Sequence, residues 1–406
     1  MSVKDTNLAK GRTLVEFYDT EYLENIVSLL YGEYTDVIYV YFSRANEPTA
    51  EDRRILSAYI KTNFGFTPQF LAISENTITC ALDDFRRLVS DGGRYDFDIT
   101  GGSSVFIAAA GALAAEGESD HITLHEYDVS RGKRIFSHPA QQPSEDRAHG
   151  VQLTVDDIFT LRGIKILHPE RPIRYRLKQD DLRGEVLRLW EAIRGELKAW
   201  NNLSAIPTKI TTDRDGIRMR KQMTAGQQTA CESLLKALEK HGIISDIQQR
   251  QDGYKIFVTY RIHVPASALF LYDKAGNILE MLTYVTAVES GLFTDCCTGV
   301  SLDWDDRVSH KSADPWNELD AVLTRGHRAY FISCKNTEVL NDYLYEIMVM
   351  TRHYGGRYAV PGLMCTVRCN THIHARAKEM GVVLIDNIGE MTVAEFAEQV
   401  AARLGR

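Results

Sequence analysis

The chain has 406 residues, more than one ordinary hydrophobic core accommodates, so at least two domains are expected. Its charged fraction of 25% and formal net charge of −8 exclude a uniformly basic protein, yet they leave room for local basic stripes such as RPIRYRLK and RDGIRMRK, on which phosphates can dock. No apolar run approaches the roughly 18 residues that cross a bilayer. The opening MSVKDTNLAKGRTL carries no apolar signal region, and seven irregularly spaced cysteines form no disulfide framework. The expectation is a cytoplasmic protein with reduced thiols and no membrane partner.

Residues 1–140 alternate short β-branched or aromatic segments (TLVEFYD, DVIYVYF, PQFLAIS, YDFDIT, HITLHEY) with helical stretches (EYLENIVSLL, EDRRILSAYIKTNF, TITCALDDFRRLVS, VFIAAAGALAAE). That alternation predicts βαβ units, a mainly parallel sheet and a Rossmann-like domain. Ligands of such sheets dock beyond the carboxyl ends of the strands. Those ends read Asp19-Thr20, Ser43-Arg44, Ser74-Glu75 and Thr100-Gly101-Gly102-Ser103-Ser104. In the last of them, two glycines and two hydroxyls stand between a strand and a small-residue helix. Free amides and the helix dipole there predict an anion site, most naturally for phosphate. The loop lacks both Gly-Lys-Ser/Thr and G-x-G-x-x-G, which argues against an ATP-hydrolysing P-loop and a nicotinamide site. A phosphodiester fits better than a triphosphate.

Residues 141–200 read as a proline- and charge-rich linker followed by a connecting helix, GEVLRLWEAIRGELKAW, whose Leu187, Trp190, Ile193, Leu197 and Trp200 make a packing stripe. In 201–265 a helix, a glycine break and a hydrophobic hairpin have the outline of a winged-helix element.

In the last segment, 266–406, NELDAVLTRGHRAYFISCKN predicts a hairpin turning at Gly326-His327. Paired positions then face Asp320 with Ser333 and Glu318 with Lys335. Ala321, Leu323, Tyr330, Ile332 and Cys334 form one face, a core surface, while Glu318, Asp320, Ser333 and Lys335 gather at the open end of the other. A cross-strand Glu318–Lys335 ion pair on an exposed face is the plain structural alternative. The helix GNILEMLTYVTAVES, capped by Gly276-Asn277, brings Glu280 in its first turn. In EVLNDYLYEIMVMTRHYGG, Glu346 falls on the stripe of Val339, Tyr343 and Met350. Buried there, its carboxylate needs a cation; at the stripe's edge it reaches water. Glu280, Asp320 and Glu346 with Lys335 make an oxygen-ligand site for Mg²⁺ or Mn²⁺, Lys335 orienting water or offsetting charge on a phosphate.

A helix glutamate, Asp320 at a strand start and Ser333-Cys334-Lys335 on the next strand resemble the PD-(D/E)xK nuclease pattern. Ser333 stands where that pattern has an acid, and Glu346 on the following helix is the candidate to replace it. DITGGSSVF after a βαβ array resembles the ligand loop of CARF domains. Together with GNILEMLTY, NELDAVL, FISCKN and HYGGRYAV, the chain is similar to the cyclic-oligoadenylate-activated CRISPR accessory nucleases. The resemblance implies a homodimer whose paired CARF domains bind cyclic oligoadenylate, with cyclic tetra-adenylate the commoner activator, and whose restriction-endonuclease-like domains cleave DNA, RNA or both with a divalent metal. Catalysis then falls to Asp320, Lys335, Glu280, Glu346 and Ser333, and ligand contact to Thr100 through Ser104 with Thr20, Ser43 and Arg44. A CARF-controlled winged-helix transcription regulator is the non-enzymatic alternative. Cys365, Cys369, His372 and His374 have poor zinc spacing, and an Arg368–His374 ribonuclease pair would belong to a helical catalytic domain, whereas GLMCTVRC and GVVLIDN read as strands.

Overall fold

The computed structural model describes residues 11–43, 46–116, 121–129, 133–136, 152–167, 180–214, 216–303 and 317–405. It divides into two units, Met1–Ile164 with Gly356–Tyr358, and Lys165–Gly355 with Ala359–Arg406.

In the first unit the predicted alternation becomes β1 (Arg12–Phe17), α1 (Val27–Tyr31), β2 (Asp36–Phe42), α2 (Ala50–Phe64), β3 (Gln69–Ile73), α3 (Ile78–Val89), β4 (Arg94–Asp98), α4 (Ser104–Glu116), β5 (Ile122–Asp128) and β6 (Lys133–Phe136). The sheet order is β3-β2-β1-β4-β5-β6, parallel through β5, with β6 added antiparallel. Helices cover both faces, so β2 is buried along nearly its whole length, as its unbroken VIYVYF run demands. On one face Phe17 packs on Phe106 and Phe85, with ring centroids at 5.3 and 5.8 Å. Strand order reverses at β1, so the loops after β1 and β4 flank the switch point where ligands of such sheets dock. The helix read over 21–30 is shorter than its pattern: residues 20–26 form turns before α1.

The division between the units falls at 164/165, inside the 141–200 segment read as linker and connecting helix. Helix α5 (Val155–Leu161), started by a Thr154/Asp157 capping box, completes the first unit. Of the expected linker, residues 141–151 and 168–179 lie outside the described residues.

In the second unit, β7 (Lys165–Leu167), β12 (Asp295–Asp303), β13 (Asn317–Arg325), β14 (Arg328–Lys335), β15 (Val360–Cys365) and β16 (Val383–Ile385) form the sheet β16-β15-β14-β13-β12-β7. It is antiparallel from β7 to β14 and parallel from β14 to β16. The connecting helix is broken by a 3₁₀ turn at Arg194–Glu196 into α6 (Asp180–Ile193) and α7 (Leu197–Ala205). The small module has more strands than its sequence outline suggested. Hairpin β8 (Thr208–Asp213) and β9 (Gly216–Met223), helix α8 (Ala225–Lys240) and hairpin β10 (Ile244–Asp252) and β11 (Lys255–Ile262) give the sheet β10-β11-β9-β8. A hairpin therefore separates α7 from α8, where a helix-turn-helix has a short turn. α9 (Asn277–Ser290), α10 (Asn341–Gly355), α11 (Thr371–Met380) and α12 (Val393–Leu404) complete the unit. A single core joins Trp190, Trp200, Leu234, Val258, Leu282, Ile332 and Phe396, so the module and the larger sheet are one body rather than a domain and its appendage.

Candidate functional site

The hairpin forms in the expected register: Ala321 pairs with Ile332 and Arg325 with Arg328, around Gly326 at φ +59°. The core-facing set from Ala321 to Cys334 is buried. Beyond the last ladder pair, the Asp320 carboxylate takes over the pairing itself. It accepts the Cys334 N–H at 2.6 Å and the Ser333 hydroxyl at 3.1 Å, while Thr298 holds the Asp320 carbonyl at 2.7 Å.

Glu318, Asp320, Ser333, Lys335 and Glu346 line one cavity of about 40 Å³, with Ile332, Ile347 and Met350 among its apolar walls. That volume suffices for an ion or water. Burial raises the Asp320 carboxyl above its ordinary range. The Cys334 amide, Lys335 and the Ser333 hydroxyl pull it down less strongly, and Glu318 adds to the rise. The Lys335 ammonium stands 4.9 Å from the centroid of the Tyr343 ring, which fixes the amine by cation–π contact. Its strand end is clamped as well: Thr366 donates to the Lys335 carbonyl at 3.1 Å. The Asn336 side-chain amide donates to the Asn201 side-chain oxygen at 2.7 Å, and the Asn201 side-chain amide donates to the Asn336 backbone carbonyl at 2.8 Å, which ties α7 to this corner.

Glu346 and Glu280 stand differently toward this cavity. Glu346 is exposed, the buried stripe of α10 being Leu344, Ile347, Thr351 and Tyr354, so it reaches the cavity from the helix edge rather than from an apolar stripe. Glu280 lies in the first turn of α9, outside the cavity lining. That helix packs where Cys334 points, with Thr283 Oγ1 at 3.6 Å from Cys334 Sγ, and Glu280 is felt there by raising the Cys334 thiol after burial and Asp320. The N-cap of α9 is Gly276 alone; Asn277 is its first residue and donates to the Phe270 carbonyl at 2.7 Å.

Among the described residues no group of three or more His, Cys, Asp or Glu stands arranged to hold a metal, and this includes the Cys365–His374 stretch. The cavity's donor set nevertheless has the right chemistry for a hard divalent cation: three carboxylates, a hydroxyl, and neither imidazole nor thiolate among its lining. His374 is bound to Asp386 at 3.1 Å instead.

The Thr100–Ser103 loop leads from β4 into α4, which begins at Ser104, and part of its donor set is already spoken for. The Thr100 amide and hydroxyl both bond Asp98, the amide at 2.7 Å, and the Gly102 amide bonds the Asp19 carboxylate at 3.2 Å. The Tyr127 amide donates back to the Thr100 hydroxyl at 2.7 Å. Gly102 sits at φ +84°, where a Cβ would lie 2.3 Å from that of Phe17. Thr20 is exposed beside Asp19, the Ser43 amide is bonded to Ile73, and Arg44 lies outside the described residues. Beneath the loop lies an acid network that the sequence reading passed over. Glu16 faces Asp98 across β1 and β4, fully buried, and Asp98 also bonds Ser28. Burial, then the neighbouring Asp98 charge, raises the Glu16 carboxyl well above its usual range. Glu24, 2% exposed, stands against Gly101 and bonds Arg357 and Tyr358. The hint was visible: acids in VEFYD and DFDIT occupy strand positions that both-face burial reserves for apolar side chains.

The sequence matches no protein-family model and no curated protein. Solved structures are similar throughout. Protein VC1899 from Vibrio cholerae is 15% identical, with a TM-score of 0.71 over 97% of this chain and 98% of that one. Can2 from Sulfobacillus thermosulfidooxidans, in complex with cyclic tetra-adenylate, is 13% identical, with a TM-score of 0.61 over 97% of each chain. A type III CRISPR defence DNA nuclease activated by cyclic oligoadenylate is 14% identical, with a TM-score of 0.53 over 97% of this chain and 51% of that one. At these identities the likeness is one of fold. The α/β class expected from sequence, a Rossmann-like half built on a mainly parallel sheet followed by a second half built on a mixed sheet, is the architecture this chain has.

Proposed function

We propose that the protein is a metal-dependent endonuclease of type III CRISPR antiviral defence. It is activated when cyclic oligoadenylate, cyclic tetra-adenylate foremost, binds at the interface of paired N-terminal units in a homodimer, and it cleaves DNA, RNA or both. The observation that carries the reading is the convergence of Asp320, Ser333, Lys335, Glu346 and Glu318 on one cavity at the mouth of the β13–β14 hairpin. Asp320 and Glu346, with Glu318 as the third carboxylate, would hold Mg²⁺ or Mn²⁺. Glu280 joins them only if the first turn of α9 closes on the cavity. When bound, the ion supplies Lewis-acid polarisation of a phosphate and eases ionisation of water. Lys335, its ammonium held beside the Tyr343 ring, orients the attacking water and offsets the charge that grows on the phosphate oxygens. Ser333 holds Asp320 in place. In the N-terminal unit, Thr100–Ser104 with Thr20, Ser43 and Arg44 form the activator site. Asp19 there offers an acceptor to a hydroxyl or amino donor of the activator, and its release of the Gly102 amide frees a donor for phosphate.

Two observations favour the second reading, a CARF-controlled winged-helix transcription regulator without catalytic activity: Ser333 in place of the motif acid, and the absence of a ready three-ligand group among the described residues. The same assay separates them. Purified protein with Mn²⁺ or Mg²⁺ and cyclic oligoadenylates of several ring sizes is given plasmid DNA and single-stranded RNA. Cleavage that requires both activator and metal, and that Lys335→Ala removes, supports the nuclease; no hydrolysis under any combination supports the regulator.

A further inference from the structure

We propose that the outward face of the β10-β11-β9-β8 sheet is a docking surface for single-stranded nucleic acid, separate from the cavity on the larger sheet. Strand alternation sorts the side chains of this module. Met219, Lys221, Met223, Val258 and Tyr260 are buried, with Lys221 bonded to the Ile206 carbonyl at 2.7 Å and Thr208 at 2.6 Å. The intervening positions face outward, so the basic stripe RDGIRMRK turns Arg218 and Arg220 away from the core. The register then lays a diagonal across all four strands. Lys209 on β8 pairs with Arg220 on β9, Arg220 stacks at 4.2 Å on the Phe257 ring of β11, and Phe257 pairs with Arg250 on β10.

Lys209, Arg220 and Arg250 are exposed and make no ion pair among the described residues, in a chain whose net charge is −8. Of the described acids on this face, Asp246 pairs with Arg261 at 3.1 Å, and Asp252 stands opposite Lys255 in the ladder. Placing Lys209 directly across from Arg220 costs folding free energy through like-charge repulsion, which a polyanion lying along the track relieves. With strands about 4.8 Å apart, the track spans about 14 Å. An open sheet bearing cations and a ring with a stacked guanidinium suits splayed bases and their backbone; reading a duplex groove needs a protruding helix or ribbon. The inference rests on the nuclease reading for its purpose, presenting a strand to be cut, and on the sheet alone for its chemistry.

The test uses the full chain carrying Lys335→Ala, so that hydrolysis does not interfere, and the fluorescence anisotropy of labelled single-stranded DNA and RNA oligonucleotides over a range of salt. Lys209→Gln/Arg220→Gln/Arg250→Gln is expected to weaken binding. It should also flatten the slope of log affinity against log salt by about 2, from roughly 0.7 for each lost phosphate contact. Thr211→Glu/Gln222→Glu, which adds charge to the same face and removes no packing, is expected to weaken it too. Unchanged affinity and slope in both variants overturns the proposal, as does a duplex of the same sequence that outcompetes the single strand. Failure of the nuclease reading looks different: the chain without Lys335→Ala cuts nothing while the binding differences persist.

Discussion

Asp320 concentrates the tension of the candidate site, because a carboxylate under the cavity floor is costly to bury and useful only when charged. Asp320→Asn keeps an acceptor for the Cys334 amide and removes the desolvation cost. It is expected to raise the melting temperature at neutral pH while abolishing cleavage; a variant that is less stable than the wild type contradicts this account. The pair Ser333 and Glu346 makes a second test. Glu346→Gln should lower the affinity for Mn²⁺, and Ser333→Glu added to it should restore that affinity, as titration calorimetry reads directly. Without rescue, Glu346 is not the substitute for the missing motif acid. Glu16 supplies the pH dependence. Its folded pKa is raised, so the folded state holds a proton that the unfolded chain releases near pH 4.3. This contribution to stability is complete below that pH and is lost as pH rises toward the folded value. Relative to Glu16→Gln, the wild type should therefore lose stability between pH 4 and 7 in urea melts; parallel curves would refute it.

At the scale of elements, the ends of the β14 strand and the β4–α4 loop are held by small numbers of specific contacts. Asn336→Ala removes the bonds to Asn201 and to the Ala275 carbonyl, and is expected to cost about 1–3 kcal/mol and to loosen α7 from the corner beside Lys335. Gly102→Ala places a Cβ against Phe17 at a positive φ, for roughly 2 kcal/mol or more, and should impair activator binding before it impairs folding of the other unit. The strands were legible in the sequence because period-2 and buried-run patterns survive any packing; so was the hairpin register, which one glycine sets. The second hairpin of the small module was not read, although RDGIRM carries the Asp-Gly signal, because its charges masked the alternation. The stripe assigned to Glu346 failed for a related reason: Val339 precedes α10, and a helix begun two residues later presents a different face.

For the whole molecule, the proposed activation implies that cyclic oligoadenylate binds the native state, so cyclic tetra-adenylate at a hundredfold excess over its Kd should stabilise the protein by about 2.7 kcal/mol. Differential scanning calorimetry reads this as an upward shift of one transition; no shift with any ring size removes the activator assignment. What the sequence determined by itself is the alternating order of elements and the register of the hairpin around Gly326, since each follows from local periodicity and one turn. The tertiary structure alone decided that Glu280 lies off the cavity, that carboxylates already hold the amides of Thr100 and Gly102, and that the small module shares the core of the second unit. These depend on which distant segments come to lie beside one another, and side-chain periodicity carries no information about that.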